Sequence, residues 1–164
     1  MPLLKLLIMR VVAEEPLSEI VLRRYEKPKN LKERDLVKKI CLSMGLLQPG
    51  DSRDVVVDIL HVLLKAKKQR KLLTVSDIEK KVVQGRKLHK APLLGIASSN
   101  IRRQLKRIRN LLIIEKLKSR YRINEFSSLE EIFSQTIENF VLQNIMQRIK
   151  EYLQEADRVF SPKR

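Results

Sequence analysis

The sequence is poor in the residues from which most active sites and metal centres are built. Its single cysteine, Cys41, excludes a disulfide within the chain and fits a reducing compartment. One cysteine and two scattered histidines, His61 and His89, cannot build a zinc site alone, so no metal and no cofactor is expected. The four glycines stand apart at 45, 50, 85 and 95, which excludes a glycine-rich phosphate loop. No serine lies in a nucleophile elbow, so the chain reads as a non-enzyme with no catalytic residue. Tryptophan is absent and the basic middle of the chain holds only Tyr121, which leaves little for a platform that stacks single-stranded bases. No apolar run approaches the roughly 20 residues of a membrane span. The N-terminal MPLLKLLIMRVV is short, is interrupted by Lys5 and Arg10, and lacks a small-residue cleavage site. It reads as structure rather than a targeting signal. A cytoplasmic, nucleoid-associated location is the expectation.

Acidic residues are scarce in one place only. Residues 65–122 hold 19 Lys and Arg against 3 Asp and Glu, a net of +16, which equals the net charge of the whole chain. Residues 1–64 carry a net of +2 and residues 123–164 a net of −2. One sign concentrated in one module points to a polyanionic partner, because Lys and Arg that neutralise phosphates release condensed counterions.

Within that module lies ASSNIRRQLKRIRNLLIIEKLKSRYRI, Ala97 to Ile123. On a helix over 98–111, Ile101, Leu105, Ile108 and Leu112 fall on one stripe at spacings of four, three and four. The opposite side carries Ser99, Arg103, Lys106, Arg107 and Asn110, with Arg102 and Arg109 at its flanks and Ser98 at its start. A β-prone run, Leu112 to Leu117, then a turn at Lys118-Ser119-Arg120 and a second run at Tyr121-Arg122-Ile123 make a small basic hairpin.

Upstream, Asp51-Ser52 caps a strongly apolar helix over about 53–68, expected at the centre of the core. His61 within it reads as a structural or surface histidine. Leu72 to Val75 is short and β-prone. Ser76-Asp77-Ile78-Glu79 has the spacing of a capping box and starts a helix to about Gln84. Gly85 to Gly95 then connects to the basic helix. In it Arg86, Lys87, His89 and Lys90 are either phosphate contacts or a solvated loop.

Residues 1–50 carry no chemistry in their sequence. Pro2 to Val12 reads as a buried helix or a strand. Pro16 suits the first turn of a helix through about Tyr25. Leu31 to Met44 reads as a helix capped by Asn30, with Cys41 a small core residue. The C-terminal stretch opens with two overlapping capping boxes, Ser127…Glu130 and Ser128…Glu131. With no Gly or Pro before Pro162, it predicts one helix of about 30 residues. Leu129, Phe133, Ile137, Val141, Ile145, Ile149 and Leu153 recur every fourth residue along it. So long an apolar face outruns a small domain, and a second copy is its natural partner. The four-residue spacing drifts from a heptad and predicts a packed helix pair rather than a long regular coiled coil.

Residues 52–123, through the helix starting near Ser76, SSNIRRQLKRIRNLL and IIEKLKSRYRI, resemble the winged-helix transcription regulators common in archaea and bacteria. The resemblance implies a helix from Ser98 that enters the major groove, and a wing at Lys118–Arg120 that reaches phosphates or the adjacent minor groove. The connection over 85–95 is longer than that pattern's tight turn. The C-terminal helix resembles the dimerisation helices of such regulators. The expected fold is mostly α. It has a winged helix-turn-helix core with a β-hairpin wing over 51–124, an N-terminal helical extension over 1–50, and a dimerisation helix over 125–164. The expected function is that of a sequence-specific regulator binding double-stranded DNA as a homodimer, with no small-molecule ligand evident. Ser99 and Arg103 are the base-edge candidates. Lys106, Arg107 and Asn110 are phosphate or mixed contacts, and Arg102 and Arg109 line the groove. Arg120 and Arg122 of the hairpin complete the set with Lys118. Ile137, Val141, Ile145, Ile149 and Leu153 are the expected dimer interface. An RNA-binding or architectural chromatin protein, or a winged-helix module that binds protein, remains the alternative.

Overall fold

VVVDILHVLLKAKK is apolar on nearly every side of its first three turns, and a helix of that kind is stable only when enclosed. In the computed structural model, which describes residues 12–162, this segment is helix α2 (Val55–Lys68). Around it pack α1 (Glu33–Ser43), α3 (Val75–Leu88), α4 (Ser98–Asn110) and strand β3 (Arg120–Ile123). Ile59, Leu60 and Leu63 of α2, Ile78 of α3, and Ile101, Leu105 and Ile108 of α4 are wholly buried. Each such side chain contributes about 1.5–3 kcal/mol by leaving water. Of Pro2 to Val12, read from the sequence as helix or strand, all but Val12 lie outside the described residues.

The architecture is mostly helical, with a small antiparallel sheet of three strands in the order β1-β3-β2. Strand β1 (Leu73–Thr74) pairs with β3, and β2 (Ile114–Leu117) forms the hairpin with β3. Glu115 stands opposite Arg122 in the ladder, and their side chains meet at 2.6 Å. Such a cross-strand ion pair favours this register over a slip.

The helix starts differ from expectation in instructive ways. The capping box of α3 is built on Thr74, not Ser76. The Thr74 hydroxyl accepts from the Asp77 amide at 3.1 Å, and the Asp77 carboxylate accepts from the Thr74 amide at 2.9 Å. That backbone hydrogen bond holds the Asp77 carboxyl below its usual range. The shift of two residues lets β1 run into α3 without a loop and buries Val75. Helix α2 starts at Val55 with Asp54 at its N-cap, not at Arg53 after Asp51-Ser52. Helix α1 starts at Glu33 behind Lys32, and Asn30 does not cap it. Helix α3 passes through Gly85 to Leu88, four residues beyond the expected end. Leu112 leaves the buried stripe of α4: it takes φ +61° in the reversal into β2 and is exposed, while Gln104 joins the buried side.

Pro16 to Tyr25 is not a helix. The last turn of α1 has orphan carbonyls and no basic residue of its own. Arg23 satisfies them from outside. Its amide donates to the Ser43 carbonyl at 2.8 Å, and its guanidinium donates to the carbonyls of Leu42 at 2.9 Å and Leu47 at 3.3 Å. That bonding requires an extended chain. It also brings Val21 against Gly45, which sits at φ +70°. A Cβ on Gly45 would lie 2.7 Å from Val21 Cβ and 3.0 Å from the Val21 carbonyl oxygen. Gly45→Ala is therefore expected to lower stability by about 1–3 kcal/mol in urea unfolding, and to expose the chain near Arg23 to proteolysis.

One buried cluster draws on Val37, Cys41, Leu46 and Leu47, on α2 to α4 and the sheet, and on Ile132 of the C-terminal stretch. The three sequence segments thus share a core. Burial pushes the Cys41 thiol up to about 12, so it stays protonated and packs as an apolar group.

After a short 3₁₀ turn (Asn124–Phe126), Ser128 caps the C-terminal helix by accepting from the Glu131 amide at 3.1 Å. This helix runs as α5 (Leu129–Ile132), a π-helical stretch (Phe133–Leu142) and α6 (Gln143–Val159). Ile132 and Ile137, five residues apart, are both buried, which the wider π turn permits and an α turn does not. Ile137, expected at a dimer interface, is 1% exposed. It lines a small apolar cavity of about 200 Å³ together with Ile40, Met44, Leu60 and Ile113. It belongs to the chain's own packing. Among the described residues no helix is long and apolar enough to cross a membrane.

Candidate nucleic-acid interface

The placement of α4 starts with charges that lie beneath it. Arg86 of α3 is 6% exposed and sits between two carboxylates of α2. Its guanidinium donates to Asp54 at 2.9 Å and to Asp58 at 2.6 and 2.9 Å. It also donates to the Pro92 carbonyl at 2.7 Å, in the connector before α4. Arg34 of α1 adds bonds to Asp58 at 2.9 Å and Asp54 at 3.0 Å. Burial raises the Asp54 carboxyl, but the two guanidinium groups outweigh that and hold it below its usual range. Arg86, expected as either a phosphate contact or a solvated loop residue, is instead buried in α3 and anchors the connector from within. Lys87, His89 and Lys90 remain exposed.

The connector then turns at Gly95 (φ +73°). Asn100 locks the turn to the helix: its amide donates to the Gly95 carbonyl at 2.7 Å, and its oxygen accepts from Arg103 at 2.8 Å and Gln104 at 3.3 Å. The Ser98 hydroxyl donates to Glu79 at 2.6 Å, tying the first turn of α4 to α3. Helix α4 has neither a side-chain cap nor an acidic residue in its first turn. Its leading amides are thus left to other acceptors.

The outer face of α4 exposes Ser99, Arg102, Arg103, Lys106, Arg109 and Asn110, with no acid among them. Arg107, assigned to the same face, is held back. It donates to the Gln104 side chain at 2.7 Å and to the Leu46 carbonyl at 2.8 Å, so it braces the segment after α1. In the hairpin, Lys118 and Arg120 are exposed, and Lys118 at the tip holds φ +56°. Arg122 is occupied by Glu115 and lies over the Phe126 ring at 4.9 Å. Arg70 approaches the same ring at 5.3 Å.

Most of the predicted residues are thus exposed, while Arg107 and Arg122 are withdrawn into internal pairs. The structure also adds Arg53. This residue, just before α2, borders a shallow cleft of about 800 Å³ with Ser99, Asn100, Arg103 and Arg107. Nothing in its local sequence distinguishes it, because the cleft forms only when α2 and α4 come together. The role of Asn100 has a legible trace in its spacing of three and four from Arg103 and Gln104. Among the described residues no group of three or more His, Cys, Asp or Glu side chains is arranged to hold a metal ion. No protein-family model, curated protein or solved structure matches the chain.

Proposed function

We propose that the protein is a winged helix-turn-helix regulator that binds double-stranded DNA sequence-specifically as a homodimer. Helix α4 is the major-groove reader and the β2–β3 hairpin is the wing. The observation that carries this reading is the acid-free outer face of α4 with its exposed cations, together with the exposed Lys118 and Arg120 of the hairpin that follows it. The order α2-β1-α3-α4 followed by the hairpin, with β3 between β1 and β2, supports it. A helix of 13 residues is about 20 Å long, and the major groove is about 12 Å wide, which admits one helix face.

Arg103, held toward the N-terminal half of α4 by Asn100, is the base-edge residue, and Ser99 lies one turn before it. Arg102, Lys106, Arg109 and Asn110 serve phosphates and groove walls, and Arg53 extends the phosphate track beside them. The uncapped start of α4 adds amide donors toward a phosphate. Lys118 and Arg120 serve the wing. The exposed apolar face of α6 supplies the surface for a second copy.

The test is a titration of labelled duplex DNA at several salt concentrations with double-stranded RNA as competitor. Binding that weakens steeply with salt and resists the RNA supports the reading. Full competition by RNA replaces it with an RNA-binding protein, and no salt-sensitive binding leaves a protein-interaction module. On a selected site, Arg103→Ala is expected to remove roughly 1–3 kcal/mol of discrimination against random duplex. An unchanged discrimination ratio removes Arg103 from base readout.

A further inference from the structure

Beyond Leu142 the C-terminal helix leaves the body of the protein. No residue of α6 is buried, yet its sequence carries a continuous apolar face. Tyr152 is 71% exposed and Phe160 85%. Once the π-helical stretch ends, the apolar pattern changes period. Leu142, Ile145, Ile149, Tyr152, Ala156 and Val159 alternate at three and four, the a and d spacing of a heptad. The e positions are Met146, Leu153 and Phe160, all apolar. The g positions within α6 are Arg148 and Glu155, of opposite sign.

Those two edges decide how a second copy can lie. In a parallel pair, g of one helix faces e of the other. Arg148 would face Leu153 and Glu155 would face Phe160, so each charge would meet an apolar group. In an antiparallel pair, g faces g and e faces e. Arg148 then faces Glu155 on one edge, Met146 faces Leu153 on the other, and the two-fold axis repeats both contacts. Sliding the antiparallel pair by one heptad puts Arg148 against Arg148, or Glu155 against Glu155. Like charges therefore disfavour the neighbouring registers.

We infer that α6 pairs with α6 of a second copy in antiparallel orientation, with Ile149 level with Tyr152 and Arg148 of each helix opposite Glu155 of the other. This rests on the two-copy part of the proposed function and adds its geometry. The 17 residues of α6 span about 25 Å. The axis of the pair lies between Lys150 and Glu151, so the two basic modules hang from opposite ends of a rod, about 25 Å apart at the helix starts. Two modules held apart in this way suit two half-sites along one duplex.

The experiment uses the full chain and its engineered thiols. Cys41 is fully buried and is the only natural cysteine, so it does not compete. Arg148→Cys protein is mixed with Glu155→Cys protein under mild oxidation. A mixed disulfide dimer is expected, with little crosslinking of either variant alone. A disulfide from a mixture of Arg148→Cys and Leu153→Cys instead would establish a parallel pair and overturn the inference. Sedimentation of the unmodified protein separates the two layers of the claim. A monomer at tens of micromolar removes the second copy altogether, whatever the DNA titration gives. Charge exchange supplies an independent readout at exposed positions, whose own pairs within the helix, Arg148 with Glu151 and Glu155 with Arg158, lie at the surface. Arg148→Glu is expected to raise the dimer Kd roughly ten- to thirtyfold by setting like charges at both symmetry-related contacts of the charged edge, and Arg148→Glu with Glu155→Arg to restore it. No weakening, or no rescue, overturns the register.

Discussion

Replacing Arg86 with alanine is expected to lower the free energy of unfolding by about 3–5 kcal/mol, because it leaves two carboxylates on α2 with only one cationic neighbour. Asp54 and Asp58 would retain Arg34 alone, whose side chain is far more exposed than that of Arg86. The Pro92 carbonyl would also lose its donor, so the connector into α4 should loosen along with the helix pair. Equilibrium urea unfolding of wild type and Arg86→Ala measures the first effect. A change under about 1 kcal/mol would mean that water replaces the guanidinium at little cost. The same cluster predicts an acid response. The Asp54 carboxyl is held below its ordinary value of 3.8, so its charge stabilises the native state above that pH. The contribution is lost as pH falls through the lower native value, and the urea midpoint is expected to drop below about pH 4. In Arg86→Ala that part of the acid dependence should shrink.

Removing Arg102, Lys106 and Arg109 together should flatten the salt dependence of duplex binding more than any change outside α4. Each phosphate contact contributes about 0.9 to the slope of log affinity against log salt. Three alanines should therefore reduce the slope by close to 3, and weaken specific and random duplexes alike. Arg107→Ala is the control. Its guanidinium donates to Gln104 and to the Leu46 carbonyl, so its loss should cost stability and leave the slope nearly unchanged. If Arg107→Ala flattened the slope as much as one of the three, Arg107 would leave its carbonyl partner to meet phosphate.

The parts legible in the sequence are those with a local cause. The buried stripe Ile101, Leu105, Ile108 follows from helical period alone. The start of the C-terminal helix follows from a serine three residues before a glutamate. The basic hairpin follows from two short β-prone runs around Lys118-Ser119, and the segregation of charge into residues 65–122 is a plain property of composition. The heptad of α6 was also present, but it was masked by the four-residue spacing of the stretch before it. Only when the π turns absorb Ile132 and Ile137 does the new phase at Leu142 stand alone.

Other features depended on partners far away in the chain. A helix-prone Pro16 to Tyr25 became extended because Arg23 bonds carbonyls 19 and 24 residues away. Arg86 turned inward because Asp54 and Asp58, 32 and 28 residues earlier, needed a cation where water is excluded. Arg107 found the Leu46 carbonyl 61 residues before it, and Arg53 reached the basic surface only through the packing of α2 on α4. The sequence by itself determined which segments are apolar, where the positive charge is concentrated, and those helices whose buried stripe or cap is local. Tertiary structure decided which arginines remain free for a polyanion and which are spent on carboxylates and carbonyls. A guanidinium is drawn to whichever acceptor lies within about 3 Å, and that neighbour is set by packing rather than by sequence distance.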